Sequence, residues 1–173
     1  MKKIYFVFIC IALAFTANAK NYVASKNCIN HIKKYEKCSL TSYPDAGGYS
    51  IGWGHHTSSV KANQKITQKQ ADAYLVSDVK EAEMYANMLI KSLPYKYKFS
   101  QGFFDGLVSL VYNCGYSGVK NTKFYTLLNR CRVKNGNMNK EDFNYTVSHV
   151  STTRITHKGH KIRRKDEMKM MKN

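Results

Sequence analysis

The sequence predicts an α+β fold in which a small β-containing lobe and a larger helical lobe are joined by one long helix. Between residues 38 and 60, β-forming side chains alternate with small residues around four glycines, a pattern typical of a hairpin or small meander. Residues 67–91 carry a long helical stripe, and the other apolar runs also recur at helical spacing. With 43% hydrophobic residues, the 173-residue chain has the composition of a folded globular protein.

The first predicted element is a helix over residues 25–36. Apolar Cys28, Ile29, Ile32 and Tyr35 recur there at helical spacing, and lysines occupy the other side. The pattern therefore indicates a short helix with one face turned towards a core.

The connecting helix is predicted over about residues 67–91. Thr67 and Gln70 have the spacing of a capping box, in which the hydroxyl and the amide satisfy each other's backbone donors. An apolar stripe then continues to about residue 90. A helix of this length spans roughly 35 Å, which is enough to connect two lobes.

These elements place the small lobe at about residues 37–66 and the helical lobe at about residues 92–173, which the first helix joins. Pro94 ends the connecting segment, and Gly115 ends the most hydrophobic helix of the lobe. The helices predicted within this lobe cover residues 99–114, residues 121–130 and the basic tail from Ile162.

The first 19 residues have the features of a signal peptide. Two lysines precede an apolar run over residues 4–15, and Ala17 and Ala19 fit a signal-peptidase site before Lys20. We therefore expect a cleaved leader and export through the inner membrane, to the periplasm or the extracellular space. A retained anchor is the alternative, although the apolar run is shorter than the ~20 residues that a spanning helix needs.

The charge of the chain bears on its partners. The formal net charge is +17, and such a surface binds polyanions. Nucleic acid would be bound only non-specifically, through phosphate contacts. An exported protein first meets cell-wall polymers and acidic lipids, so we expect an anionic cell-wall surface as partner, no specific nucleic acid, and a monomer.

Four cysteines follow the leader, namely Cys28, Cys38, Cys114 and Cys131. An even number in an oxidising compartment predicts two disulfides, with three possible pairings, and buried free thiols are the alternative. The histidines lack zinc-site spacing and no Cys-x-x-Cys pair occurs, so we do not expect a structural metal. No cofactor is implied either.

Glu36 and Asp45 are the candidate catalytic residues. Hydrolysis of a glycosidic bond needs a protonated acid at the leaving oxygen and an ionised carboxylate on the far side of the sugar. A helix end and a glycine turn are suitable places for two such groups across a cleft. Spacing alone is a weak signal, because two acids nine positions apart are common in proteins.

Four segments together resemble the phage-type lysozymes, the endolysins of glycoside hydrolase family 24. The first is Glu36 with eight residues before DAGGYSIGWGH, which is similar to the family's catalytic signature. The others, similar to further family motifs, are KITQKQADAYLVSDVKEAE, FSQGFFDGLVSLVYNCG and KGHKIRRKDE. In order, these motifs cover nearly all of residues 25–170, and they imply the lysozyme-like α+β fold.

The resemblance implies a muramidase that cleaves the β-1,4 bond between N-acetylmuramic acid and N-acetylglucosamine in peptidoglycan, with inversion. By position, Glu36 would be the general acid and would hold its proton in a partly dehydrated cleft. Asp45 would orient or activate the attacking water, and Ser50 would hydrogen-bond that water. Inversion generally calls for carboxyls ~6.5–9.5 Å apart.

Two departures from the family pattern concern this same site. Ser50 stands where the family usually has threonine, which removes the methyl group that restricts the hydroxyl rotamer. The loop from Asp45 to this hydroxyl is also one residue shorter, and Gly47 and Gly48 are expected to absorb the deletion. An alternative function is therefore a cationic protein that binds cell walls, or acts on bacteria, without hydrolysis.

The resemblance also suggests supporting residues. It implies that His55 pairs with Asp78 in a structural role, which we prefer to a catalytic one, and adjacent His56 is interpreted as a surface residue. It implies too that an arginine near the C-terminus contacts Glu36, with Arg163 and Arg164 as equal candidates. Trp53 either packs the small lobe or stacks on a sugar ring.

Overall fold

The computed structural model describes residues 21–45, 47–156 and 158–173 and confirms the α+β class. The leader predicted over residues 1–19 lies outside this part of the chain. The helices are α1 (Lys26–Glu36), α2 (Gln68–Lys91), α3 (Gln101–Lys120), α4 (Lys123–Leu128), α5 (Lys140–Ser148) and α6 (Lys158–Lys172), with a short 3-10 helix at His149–Thr152. The strands are β1 (Ser39–Asp45), β2 (Gly48–Gly52), β3 (His55–His56), β4 (Val133–Lys134) and β5 (Asn137–Met138).

The small lobe is built on an antiparallel sheet in the order β1-β2-β3. Ser39 pairs with Gly52 and Tyr43 with Ser50. Between these two pairs β1 advances four positions and β2 only two, so β1 contains a bulge. Such a bulge bends the strand and shortens it along the sheet. A separate small core beneath the sheet consists of Ile51, Val60, Ile66 and Ala71.

Helix α2 links the two cores, as the sequence predicts. Thr67 caps it, and the capping box with Gln70 is present. Ala71 belongs to the core of the small lobe, whereas Leu75 and later apolar residues of α2 pack into the core of the helical lobe. One rigid element therefore carries both hydrophobic clusters.

Helix α3 forms the centre of the helical lobe and closely approaches α6. A Cβ at Gly106 would lie 2.6 Å from Met171 Cγ and 3.0 Å from the Glu167 carbonyl oxygen. Only glycine permits this approach. Gly115, with φ +72°, kinks the helix at the predicted end, and a further helical segment continues to Lys120.

Asp105, on α3, fixes the start of α1. Its carboxylate accepts hydrogen bonds from the Ser25 backbone N–H, at 2.9 Å, and from the Ser25 hydroxyl. The same hydroxyl caps α1 by accepting from the backbone N–H groups of Asn27 and Cys28. This buried acid therefore has a structural role at the start of α1.

The region between α4 and α6 contains elements that the sequence pattern does not reveal. Strands β4 and β5 form a two-stranded hairpin, and Asn139 then caps α5. Helix α6 begins at Lys158, before the predicted Ile162. Very short strands and a helix rich in polar residues leave little periodic signal, which is why they are missed.

The predicted disulfides are wrong for the described cysteines. Cys28, Cys38, Cys114 and Cys131 are all free thiols. Cys28 donates to the Asp105 carbonyl, Cys114 contacts Asn113 and Cys131 contacts Thr146, while Cys38 lies near Gln68. The four thiols occupy separate environments, and burial raises the pKa of the Cys28, Cys114 and Cys131 thiols.

None of the described helices is both long and apolar enough to cross a membrane.

Candidate active site

Glu36 lies at the junction of the two lobes. It is the last residue of α1, and Lys37, with φ +53°, turns the chain into β1. The Glu36 side chain is 19% exposed, and its Oε1 accepts a hydrogen bond from Arg163 Nη1. Its Oε2 lies 3.2 Å from where a Cβ of Gly54 would be. The carboxylate is therefore held by one oxygen, and Gly54 leaves room for the other.

Arg163, rather than Arg164, is the arginine that contacts Glu36. It is 3% exposed, and its Nε donates to Glu167 Oε1 at 3.1 Å while Nη2 donates to the Ser109 carbonyl at 3.3 Å. Burial lowers the pKa of Arg163, but the charges of Glu36 and Glu167 raise it by more. The guanidinium is thus a fixed cation between two carboxylates.

Arg164 points into the helical lobe instead. It is fully buried, and its Nε donates to the Thr153 carbonyl at 2.9 Å. Its other nitrogens contact Glu167 and Asn113. Glu167, which is also fully buried, therefore bridges both arginines. Glu167 is the last residue of the motif KGHKIRRKDE, but nothing in the sequence indicates that it bridges two arginines.

Asp45 ends β1 on the exposed rim of the sheet. Its Oδ2 accepts a hydrogen bond of 2.7 Å from Ser50 Oγ, and Ser50 itself is 0% exposed. On its other side, Ser50 Oγ lies 3.1 Å from His56 Nδ1. His56 is exposed, as expected of a surface residue, but it also belongs to the surroundings of Asp45. No pattern in the sequence indicates this contact.

The two carboxylates both belong to the surroundings of one side chain, Tyr43. Glu36 faces Gly54 and Asp45 contacts Ser50. Ser50 and Gly54 are four positions apart, so their backbones lie at most ~14 Å from each other. Burial raises the pKa of the Tyr43 phenol, and the charges of Asp45 and Glu36 raise it further. Both carboxylates therefore act electrostatically on this phenol. Both acids remain accessible to solvent. The distance of ~6.5–9.5 Å between the two carboxyl groups that inversion requires remains a prediction.

His55 and Asp78 join the sheet to α2. His55 Nδ1 lies 2.9 Å from Asp78 Oδ1, and its ring stacks on Tyr74 with centroids 4.4 Å apart. Burial raises the pKa of Asp78, and the His55 hydrogen bond opposes that rise. The pair makes a connection between elements, in line with the structural role expected for His55.

Trp53 is packed rather than free. Its indole N–H donates to Asp72 at 2.9 Å, and the Lys33 ammonium lies 4.9 Å from its ring centroid. Its carbonyl accepts from the Tyr112 hydroxyl of α3 at 2.9 Å. These contacts tie the turn that carries Gly54 to both α2 and α3.

No metal centre is found in the portion of the chain that the structure describes, because no three His, Cys, Asp or Glu side chains there are suitably clustered.

The sequence matches the phage lysozyme family over residues 33–167. The chain belongs to that family. The match begins before Glu36 and ends at Glu167, so it includes both candidate acids and the buried ionic network.

Individual relatives agree with this membership. Over 94 residues the chain is 45% identical to an endolysin of Lactococcus phage c2. This matched segment covers 53% of this chain and 39% of the relative. Over 107 residues it is 36% identical to an endolysin of Bacillus phage PZA, covering 60% and 40%. The chain thus spans about two fifths of these curated relatives.

A solved structure extends the comparison over nearly the whole fold. The endolysin from Escherichia coli O157:H7 phage FAHEc1 superposes with a TM-score of 0.70 at 26% identity, covering 88% of this chain and 94% of that chain. The similarity confirms the lysozyme-like architecture predicted from the motifs.

Proposed function

We propose that this member of the phage lysozyme family is a muramidase that cleaves the β-1,4 bond between N-acetylmuramic acid and N-acetylglucosamine in peptidoglycan, with inversion. One observation supports the proposal: the charges of Glu36 and Asp45 both act on the Tyr43 phenol, and each carboxylate is accessible to solvent and has its own hydrogen-bonding support. Two carboxyl groups in separate environments are what acid and base roles require.

Glu36 acts as the general acid. Arg163 holds Oε1, which leaves Oε2 beside Gly54 to carry the proton for the leaving oxygen. As the glycosidic C–O bond breaks, that proton passes to the departing hydroxyl of the sugar and the Glu36 carboxylate is left beside the Arg163 guanidinium. The nearby cation stabilises the charge produced in this step.

Asp45 acts on the attacking water. Its Oδ2 is engaged by the Ser50 hydroxyl, and Oδ1 remains to accept a hydrogen bond from water. The ionised carboxylate takes a proton as the water oxygen bonds to the anomeric carbon from the opposite face. Because Ser50 is buried, it supports the water through Asp45 in this conformation.

The charge of the chain fits a wall substrate. At +17, it is attracted to anionic wall polymers on the outer side of the cytoplasmic membrane. Association is expected to weaken as salt screens these charges. Salt would therefore reduce binding to whole walls more than cleavage of a neutral soluble glycan.

The decisive experiment is digestion of purified peptidoglycan with analysis of the product ends. The wild-type chain should release reducing-end muramic acid, and Glu36→Gln should lower the rate by at least ~100-fold. Glu141→Gln, at an exposed acid on α5, is the matched control and should retain activity.

Other outcomes identify the alternatives. Anhydro-muramic products would indicate a transglycosylase. If the wild-type chain sediments with walls and releases no new sugar ends, the non-catalytic wall-binding function replaces the muramidase. If Glu36→Gln and Asp45→Asn both keep full activity, the catalytic assignment is wrong.

A further inference from the structure

The contact between His56 and Ser50 is fixed by the sheet. These two residues are direct cross-strand partners in the antiparallel β2–β3 pair. The pairing brings His56 Nδ1 to 3.1 Å from Ser50 Oγ, which lies 2.7 Å from Asp45 Oδ2. The three polar groups form a continuous chain from an exposed ring to a candidate catalytic carboxylate.

The number of available protons sets the direction of the hydrogen bonds between His56, Ser50 and Asp45. A serine hydroxyl has one proton, and an ionised carboxylate can only accept. If the Ser50 proton is donated to Asp45, the contact with His56 is a hydrogen bond only when Nδ1 carries a proton. Nδ1–H then donates to Ser50 Oγ, and Ser50 donates to Asp45. An unprotonated Nδ1 would compete with Asp45 for the same proton.

We propose that His56 is a positioning residue, which directs the Ser50 hydroxyl towards Asp45 and thereby fixes the carboxylate that holds the attacking water. The inference rests on the proposed function and deepens it. It also supplies a physical role for a histidine next to the structural His55. Since serine lacks the methyl group that restricts its rotamer, a second partner for the hydroxyl takes over that restriction.

The surroundings of His56 favour a role at the site over a role in the core. The ring is exposed and lies over Gly48, where an added Cβ would come within 3.1 Å of His56 Cε1. It also lines a cavity of about 430 Å³ with Tyr49 and Lys61. Truncating such a ring removes little buried apolar area, so its effect on stability is small.

The first test separates turnover from binding. On a soluble, uncrosslinked glycan strand, His56→Leu should lower kcat about fivefold, as loss of one ordinary hydrogen bond predicts, with KM nearly unchanged. His56→Asn places an amide N–H near the position of Nδ1 and should restore most of kcat. The control is His149→Leu, the same change at a histidine on the helical lobe, which should have wild-type kcat.

The second test is a double-mutant cycle with Ser50. In a Ser50→Ala background, His56→Leu should cause no further loss, because the group through which His56 acts is gone. An equal loss in both backgrounds, or a failure of His56→Asn to recover activity, would overturn the proposal. Urea unfolding of every variant shows whether lost fold accounts for a lower rate.

The outcome is distinguishable from failure of the muramidase assignment. If Asp45→Asn is inactive while His56→Leu has wild-type kcat, only the positioning role is refuted. If Asp45→Asn keeps full activity, the catalytic assignment fails first, whatever His56→Leu does.

Discussion

The supports of Glu36 and Asp45 differ in sequence range and in charge. Glu36 is held from a residue 127 positions away, and Arg163 belongs to an ionic network sealed in the helical lobe. Asp45, itself exposed, is held by the neutral hydroxyl of buried Ser50, which is only five positions away on an adjacent strand. One acid thus depends on tertiary packing and the other on local sheet register.

This difference has an energetic consequence. Removing one member of a buried charge network leaves another charge without a partner in a low dielectric, which is strongly destabilising. Removing a neutral hydrogen-bond donor from an exposed carboxylate such as Asp45 costs much less, because water can replace the donor. Substitutions around Glu36 should therefore change stability and activity together, whereas substitutions around Asp45 should separate them.

The largest effect is expected from the buried arginines. Arg163→Met and Arg164→Met should each lower the free energy of unfolding by about 3–5 kcal/mol, because Glu167 loses a compensating charge. Only Arg163→Met also frees Glu36, so it should reduce kcat far more than Arg164→Met. Urea unfolding and rates on soluble glycan, measured where both variants are folded, test this.

The arginine pair is its own matched control. The two residues are adjacent, both are buried, and both contact Glu167. Equal kcat in the two folded variants would mean that the contact between Arg163 and Glu36 has no part in turnover.

A smaller effect is expected from Gly54→Ala. With φ +94° and Glu36 Oε2 at 3.2 Å from the new Cβ, alanine should lower the free energy of unfolding by about 1–2 kcal/mol. It should also displace the Glu36 carboxylate, and a misplaced catalytic group reduces kcat by about 10- to 100-fold. The measurements are thermal unfolding and kcat.

Gly136→Ala provides the comparison for this variant. Gly136 has φ +76° and no atom within 4 Å of the added Cβ, and it lies in the β4–β5 hairpin. Its backbone strain should match that of Gly54→Ala, while kcat stays at the wild-type value. A similar loss of kcat in both variants would show that strain alone explains the effect.

The smallest effect concerns the exposed bridge between α1 and α6. Asp166 accepts from Lys34 at 2.8 Å and from the Tyr35 hydroxyl at 2.5 Å, and these bonds lower its pKa, with Lys34 contributing most. An exposed pair of this kind contributes little to stability, because solvent screens it. Asp166→Asn should therefore change stability only slightly at neutral pH.

The sign of its pH dependence follows from the lowered pKa. The unfolded carboxyl binds its proton at a higher pH than the folded one, so the stabilising contribution is complete above the ordinary value of ~3.9. It is lost as pH falls through the folded pKa. The difference in urea midpoint between wild type and Asp166→Asn should thus shrink on acidification, and a growing difference would contradict the lowered pKa.

Local signals made much of the fold predictable. The capping box at Thr67, the apolar face of α1 and the glycine-rich alternation before residue 60 depend on neighbours within a few positions, so they are legible in sequence. The acids were located by resemblance of motifs, since spacing alone carries little information. The β4–β5 hairpin and α5 were missed because short polar elements have no periodicity to detect.

Local sequence accounts for the Thr67 capping box, the first helix, the connecting helix and the presence of two candidate acids. The contact of Arg163 with Glu36, the contact of His56 with Ser50 and the free state of the four cysteines depend on how the elements pack in three dimensions. Adjacent helical residues point about 100° apart, so the choice between Arg163 and Arg164 depends on how α6 is rotated against α3. That rotation is set by close packing at Gly106, on a helix far from both arginines in sequence.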